Sequence, residues 1–254
     1  MARVRVGVSL KMYFGHRQAT AWFAAVAERV RRHEAIRSGR VELFVIPTFP
    51  QIIPAVTAFA GTPVRIGAQD VAEHDAGPYT GEVSPVELAE IGASIAEVGH
   101  AERRRLFGED DGVVARKTAA ALRNGLTPVL CLGETEPVAP GVAAESTVAQ
   151  LRAALADAPA GPVIAAYEPV WAIGAPEPAP AEHTRAVGRA LTATLAELPD
   201  RDGSTVVYGG SAGPGLLTRL GDDIDGLFLG RFAHDPDALL AVIDEADALG
   251  RSRS

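Results

Sequence analysis

Short apolar runs alternate along the chain with longer stretches whose apolar positions recur at helical spacing. The short runs read as eight strands: 5–9, 41–46, 64–68, 95–99, 127–132, 163–167, 205–208 and 227–229. They are apolar at nearly every position, as strands buried on both faces are. Helical patterns fill the intervals at 20–37, 51–60, 85–91, 112–124, 143–156, 181–198, 214–220 and 236–248. Within 20–37, Trp22, Val26, Arg29 and Val30 give the mixed face of an amphipathic helix. Asn124-Gly125 is a helix stop before the fifth strand. Strict alternation of strand and helix implies a parallel sheet, either open and doubly wound or closed. Eight such units in 254 residues predict one closed (β/α)₈ barrel, a single domain over 1–254. The Pro-rich stretch Ala175-Pro176-Glu177-Pro178-Ala179-Pro180 directly follows a strand. It reads as part of a functional loop rather than a domain boundary.

Composition narrows the function. Hydrophobic residues make up 47% and charged residues 22%, an ordinary globular balance. No apolar run approaches the roughly 18–20 residues of a membrane span. The start Met1-Ala2-Arg3-Val4-Arg5-Val6 lacks the apolar core of a signal peptide, so a cytoplasmic location and no membrane association are expected. A net charge of −8 disfavours a general nucleic-acid binder, and an anionic substrate would need a local positive site. Cys131 is the single cysteine, which rules out an intrachain disulfide and a cysteine metal cluster. Of 24 cations only Lys11 and Lys117 are lysines. A surface lysine is the ordinary reading, but Lys11 stands at a strand end.

In a barrel of this kind chemistry sits at the C-terminal ends of the strands. Glu168 ends the sixth strand and is followed by Pro169 and the apolar Val170-Trp171-Ala172-Ile173-Gly174. A carboxylate at a stiff hinge before a water-excluding loop fits a base under a lid; the bland alternative is a capping Glu on a packed surface loop. His100 follows the fourth strand, with a helix N-terminus at 101–107 aimed at its ring; a satisfied structural histidine is the alternative. Tyr208-Gly209-Gly210-Ser211-Ala212-Gly213-Pro214 opens a short helix with Pro214 in its first turn, and Gly230 follows the eighth strand. Backbone N–H groups there suit a phosphate, whereas tight turns without a ligand are the alternative. Cys131-Leu132-Gly133-Glu134 reads as bracing beneath the site. Together these residues suggest proton abstraction next to a carbonyl, with no metal and no cofactor.

These motifs resemble the triosephosphate isomerase family. The match runs in order through Lys11-Met12, Gly67-Ala68-Gln69, Tyr79 to Ser84, Gly99-His100 with Glu102-Arg103-Arg104, Cys131 to Glu134, Ala166 to Gly174, and Tyr208 to Ser211. The resemblance implies a cofactor-free isomerase of short phosphorylated sugars with roles as follows. Glu168 would move the proton, and His100 would polarise the carbonyl. Lys11 would stabilise the enediolate, and Glu102 would organise Lys11 and His100. Gly174, Ser211 and Gly230 would give N–H groups to the phosphate. The lid would span 169–179. The segment from Asp70 to Glu82 resembles the loop that docks into a partner subunit beside Lys11, which implies a homodimer. The family's usual activity would place the protein in glycolysis and gluconeogenesis.

The departures bear on substrate. Ser9-Leu10 stands where the family has Asn-Trp, Ala101 where it has Ser, Ala175-Pro176-Glu177 where it has Thr-Gly-Lys, and Gly230-Arg231 where it has two glycines. Ser9, Arg231, Glu97 and Pro178-Ala179 resemble a branch of the family that acts on L-erythrulose 1-phosphate. That similarity implies a tetrulose phosphate, with discrimination expected in a distal pocket at Ser9 and Leu10 and with Arg231 beside the phosphate. A glycolytic triosephosphate isomerase and a non-catalytic sugar-phosphate binder remain as alternatives.

Overall fold

The structure, a computed structural model, describes residues 4–252; Met1-Ala2-Arg3, part of the signal-peptide reading, lies outside the described residues. The strands are β1 (Val4–Ser9), β2 (Val41–Ile46), β3 (Arg65–Ala68), β4 (Ile95–Val98), β5 (Thr127–Leu132), β6 (Ile164–Tyr167), β7 (Thr205–Tyr208) and β8 (Gly226–Leu229). They pair in sequence order, and β1 pairs with β8 to close an eight-stranded parallel barrel. The helices are α1 (His16–Val30), α2 (Glu34–Arg37), α3 (Ile52–Ala58), α4 (Pro85–Glu90), α5 (Ala101–Phe107), α6 (Asp111–Arg123), α7 (Pro140–Leu155), α8 (Ala181–Glu197), α9 (Leu216–Leu220) and α10 (Pro236–Ser252). Among the described residues no helix is long and apolar enough to cross a membrane.

Two helical expectations are corrected. The stretch 20–37 is not one helix: α1 ends at Val30 and α2 begins at Glu34. Arg31-Arg32-His33 interrupts the face formed by Trp22, Phe23, Val26 and Val30, and Ala35 and Ile36 resume burial on a new axis. Pro214 does not start its helix either. Gly215, at φ 81°, turns the chain first, so α9 begins at Leu216.

Alternation along the strands sorts side chains between two cores. Val4, Val6, Val8, Leu43 and Val45 face outward onto the helices. Phe44, Ile95, Val129, Ile164, Val207 and Phe228 fill the barrel interior. Gly7 leaves the space that the Phe44 ring occupies. Below this layer lies a polar plug. Arg65 donates to Ser94 O at 2.7 Å and to Thr127 Oγ1 at 2.9 Å, and Arg5 donates to Thr205. Above it, toward the strand C-termini, the inward positions are Ser9, Glu97, Cys131 and Glu168. The closed register therefore brings four polar side chains from β1, β4, β5 and the end of β6 to one level.

Candidate active site

A cavity of about 920 Å³ opens at that level, lined by Ser9, Lys11, Glu97, His100, Glu168 and the loops after β6, β7 and β8. Glu168 extends the β6 ladder by one residue, its N–H donating to Leu132 O at 2.7 Å, so its side chain keeps the inward direction of Ala166. Two glycines make this position possible. A Cβ at Gly133 would collide with the Glu168 carbonyl oxygen, and one at Gly209 would come within 2.6 Å of its carboxyl. Burial first, and then the Glu97 charge, push the Glu168 carboxyl up to about 8; Lys11 and the Cys131 thiol oppose them. Glu168 Oε2 has no hydrogen-bond partner among the described residues and lies 3.5 Å from His100 Nε2.

His100 caps α5, its Nδ1 accepting the Glu102 backbone N–H at 3.1 Å. Burial, and then the Lys11 charge, push the imidazole down to about 4. The ring is therefore neutral at pH 7, and with Nδ1 accepting, its proton sits on Nε2, facing the cavity. Lys11 is the one non-glycine residue at positive φ among the described residues, at 46°. This backbone strain is held by Gln69 Nε2, which donates to Lys11 O at 3.0 Å. Lys11 Nζ donates to Glu102 Oε1 at 2.8 Å and stands 3.3 Å from His100 Nε2. Burial alone would lower the Lys11 pKa, but the Glu102 bond and the surrounding carboxylates raise it above the usual value. The same pair holds Glu102 below its usual value despite burial. A neutral donor, a fixed ammonium and a buried carboxyl thus converge on one volume.

The structure brings Ser9, Lys11, His100, Glu102, Glu168, Gly174, Ser211, Gly230 and Arg231 to one cavity, but not Leu10. Gly174, Ser211, Gly230 and Arg231 line the cavity on the side of the loops after β6, β7 and β8. The glycine run after β7 has a packing reason too, since a Cβ at Gly210 would collide with the Tyr208 ring. Arg231 is exposed, with its guanidinium 5.7 Å over the Tyr13 ring. Bracing runs through Glu134, which accepts from Trp171 Nε1 at 2.8 Å and from Tyr167 Oη at 3.1 Å. The far end of the loop after β6 is tied down by Ala179 N–H, which donates to Tyr208 Oη at 3.0 Å.

One expectation changes. Leu10 is no part of a distal pocket: it is buried in the outer core, where alternation sends it away from Ser9. Lys117, the other lysine, is buried, 2.7 Å from Asp70 Oδ1 and 2.6 Å from Glu109 Oε1. Sequence reasoning gave no role to Gln69 or Tyr208, and named Glu97 only as a likeness to the erythrulose-phosphate branch, without a place in the site. For Glu97 the signal was available as a charge inside the apolar run Ile95-Ala96-Glu97-Val98.

The sequence model of triosephosphate isomerase matches residues 4–246. A protein of Pectobacterium atrosepticum named L-erythrulose-1-phosphate isomerase is 49% identical over 251 residues, covering 97% of this chain and 97% of that protein. A Rhizobium etli protein of the same name is 38% identical, covering 96% of this chain and 93% of its own length. The triosephosphate isomerase of Thermus thermophilus is 38% identical, covering 96% and 98%.

Proposed function

Because the chain belongs to the triosephosphate isomerase family, we propose that it moves a carbonyl between adjacent carbons of a short phosphorylated sugar, without cofactor or metal. Its preferred substrate is a tetrulose phosphate such as L-erythrulose 1-phosphate. The observation that carries the reaction is the buried carboxyl of Glu168 set 3.5 Å from the Nε2 of a neutral His100. Glu168 removes a proton from the carbon beside the carbonyl. His100 Nε2–H donates to the carbonyl oxygen, and Lys11 offsets the charge of the enediolate. Glu168 then returns the proton to the former carbonyl carbon, while His100 passes a proton from the neighbouring hydroxyl oxygen to the former carbonyl oxygen, so the carbonyl moves and no electrons leave the substrate. Glu102 positions Lys11 through its side chain and His100 through its backbone N–H. Backbone N–H groups of Gly174, Ser211 and Gly230 take the phosphate, with Arg231 at the rim.

The tetrulose preference rests on Ser9 in place of a larger side chain and on relatives of that name at 49% and 38% identity. We place the protein in the cytoplasm as a homodimer formed through the loop from Asp70 to Glu82. Purified protein assayed side by side with L-erythrulose 1-phosphate and dihydroxyacetone phosphate tests the reading. Faster turnover of the tetrulose is expected, with residual triose activity. Near-diffusion-limited turnover of the triose alone would instead make it an enzyme of glycolysis and gluconeogenesis. Binding of both without turnover would make it a sugar-phosphate binder.

A further inference from the structure

Glu97 has no role in the proton transfers above, yet it shares the cavity with every group that does. It is a buried carboxyl on the inner face of β4, in register with Val129 of β5, and it has no ion pair among the described residues. An apolar side chain would pack there at lower cost, because a buried carboxyl must be hydrogen-bonded or neutral. Its one hydrogen bond comes from Ser9 Oγ, which donates to Oε2 at 2.9 Å. β1 and β4 are separated in the barrel by β2 and β3, so this bond spans the interior and floors the cavity. Oε1 has no hydrogen-bond partner among the described residues, and Glu97 lines the open cavity. The phosphate loops follow β7 and β8, and β4 stands across the eight-stranded barrel from β8. A ligand that spans the mouth with its phosphate at those loops directs its other end toward Glu97.

We propose that Glu97 and Ser9 form a subsite for the terminal hydroxymethyl group of a four-carbon ketose phosphate and select it over the three-carbon analogue. This rests on the isomerase reading above and names the residues that set its substrate. Burial pushes the Glu97 carboxyl up to about 7, against the Ser9 bond and the Lys11 charge. Near neutrality it therefore exists in part as an acid, and the carboxyl can accept from a hydroxyl or, when protonated, donate to it. Ser9, short and already bonded to Glu97, leaves room for the added carbon. A three-carbon substrate offers Glu97 Oε1 no hydroxyl, and a site that hydrogen-bonds a substrate hydroxyl disfavours the analogue that lacks it.

The test compares kcat/KM for L-erythrulose 1-phosphate and dihydroxyacetone phosphate in wild type, Glu97→Gln, Glu97→Val and Ser9→Ala, with thermal unfolding as the folding control. The expected result is a shift of the tetrulose-to-triose ratio toward the triose. Its size is roughly 10–100-fold in Glu97→Val, less in Glu97→Gln, which keeps a polar end, and several-fold in Ser9→Ala. Equal losses on both substrates would make Glu97 structural and overturn the subsite. If neither Glu97 variant folds, Ser9→Ala decides, and an unmoved ratio there overturns it. Failure of the underlying reading looks different: wild-type protein would then turn over neither phosphate, or the triose alone.

Discussion

At the scale of single residues, burial acts on two neighbours in opposite directions, because it penalises whichever form is charged. The Glu168 carboxyl rises to about 8, and the His100 imidazole falls to about 4. A base must be ionised to accept a proton, so activity in the free enzyme is lost as pH falls below about 8. The pH profile of kcat/KM should therefore rise through a limb near that value, while His100 stays neutral across it. The Glu97 charge contributes to the rise, so Glu97→Gln should move the limb to lower pH; a limb unmoved in that variant would show that burial alone sets it. Glu168→Gln should lower kcat by roughly 10²–10⁴ with the unfolding transition retained, and near-normal turnover would remove Glu168 from the mechanism. Lys11, His100 and Glu168 were legible in the sequence because each stands at a strand end beside a marker, such as Gly99 or Pro169. Glu97 was legible only as a charge in an apolar strand and as a likeness to one branch of the family; its inward direction and its bond with Ser9 depend on barrel register, which a single charge in a four-residue strand does not reveal.

At the scale of elements, the strands were legible nearly to the residue, since a strand buried on both faces leaves an uninterrupted apolar run. Helix ends were less so. The α1–α2 break depends on a change of axis that periodicity alone does not encode, and the late start of α9 depends on the left-handed turn at Gly215. The glycines at the β5 and β7 ends illustrate a further limit: their purpose is spatial, to let another strand's end approach. Gly133 is the sharpest case, because the atom its Cβ would meet is the backbone carbonyl of Glu168, which has no rotamer to retreat into. Gly133→Ala should push the end of β6 aside and carry the carboxyl with it. A displacement of about 1 Å at a catalytic group costs on the order of 10²-fold in rate, and overpacking costs about 1–3 kcal/mol of stability. Steady-state kinetics and chemical denaturation of this variant should show both effects together. Loss of stability with kcat intact would mean that the clash relaxes elsewhere.

At the scale of the whole molecule, barrel closure leaves no free sheet edge, so the proposed dimer would form through loops or helices and not by strand pairing. The loop after β3 is long, and its root is fixed from within. Asp70 is held by Lys117 at 2.7 Å and by Arg103 at 2.8 Å, while Glu109 accepts from the same two cations. Beyond that root the chain from His74 to Glu82 is exposed, with Tyr79 stacked on His74 at 4.1 Å. Exposed apolar side chains follow three consecutive strands: Met12 and Tyr13 after β1, Phe49 in the short turn after β2 with Ile53 at the start of α3, and Tyr79 after β3. Met12 is 89% exposed although it adjoins the strained Lys11, an arrangement that a docked neighbour would relieve. Ser9, in contrast, is turned inward onto Glu97 and is withdrawn from any partner. If the Ser9 hydroxyl gives a neighbour no hydrogen bond, the proposed dimer is weaker by about 0.5–1.5 kcal/mol, the worth of one such bond, which weakens association without abolishing it. Sedimentation should therefore show a dimer at micromolar concentration. Tyr79→Asp, which sets a charge in the apolar contact, should shift it to monomer and lower activity with it, because the loop carrying Lys11 then loses its cover. A wild-type protein that sediments only as monomer with full activity would show that the strained Lys11 backbone is held by Gln69 and Glu102 alone.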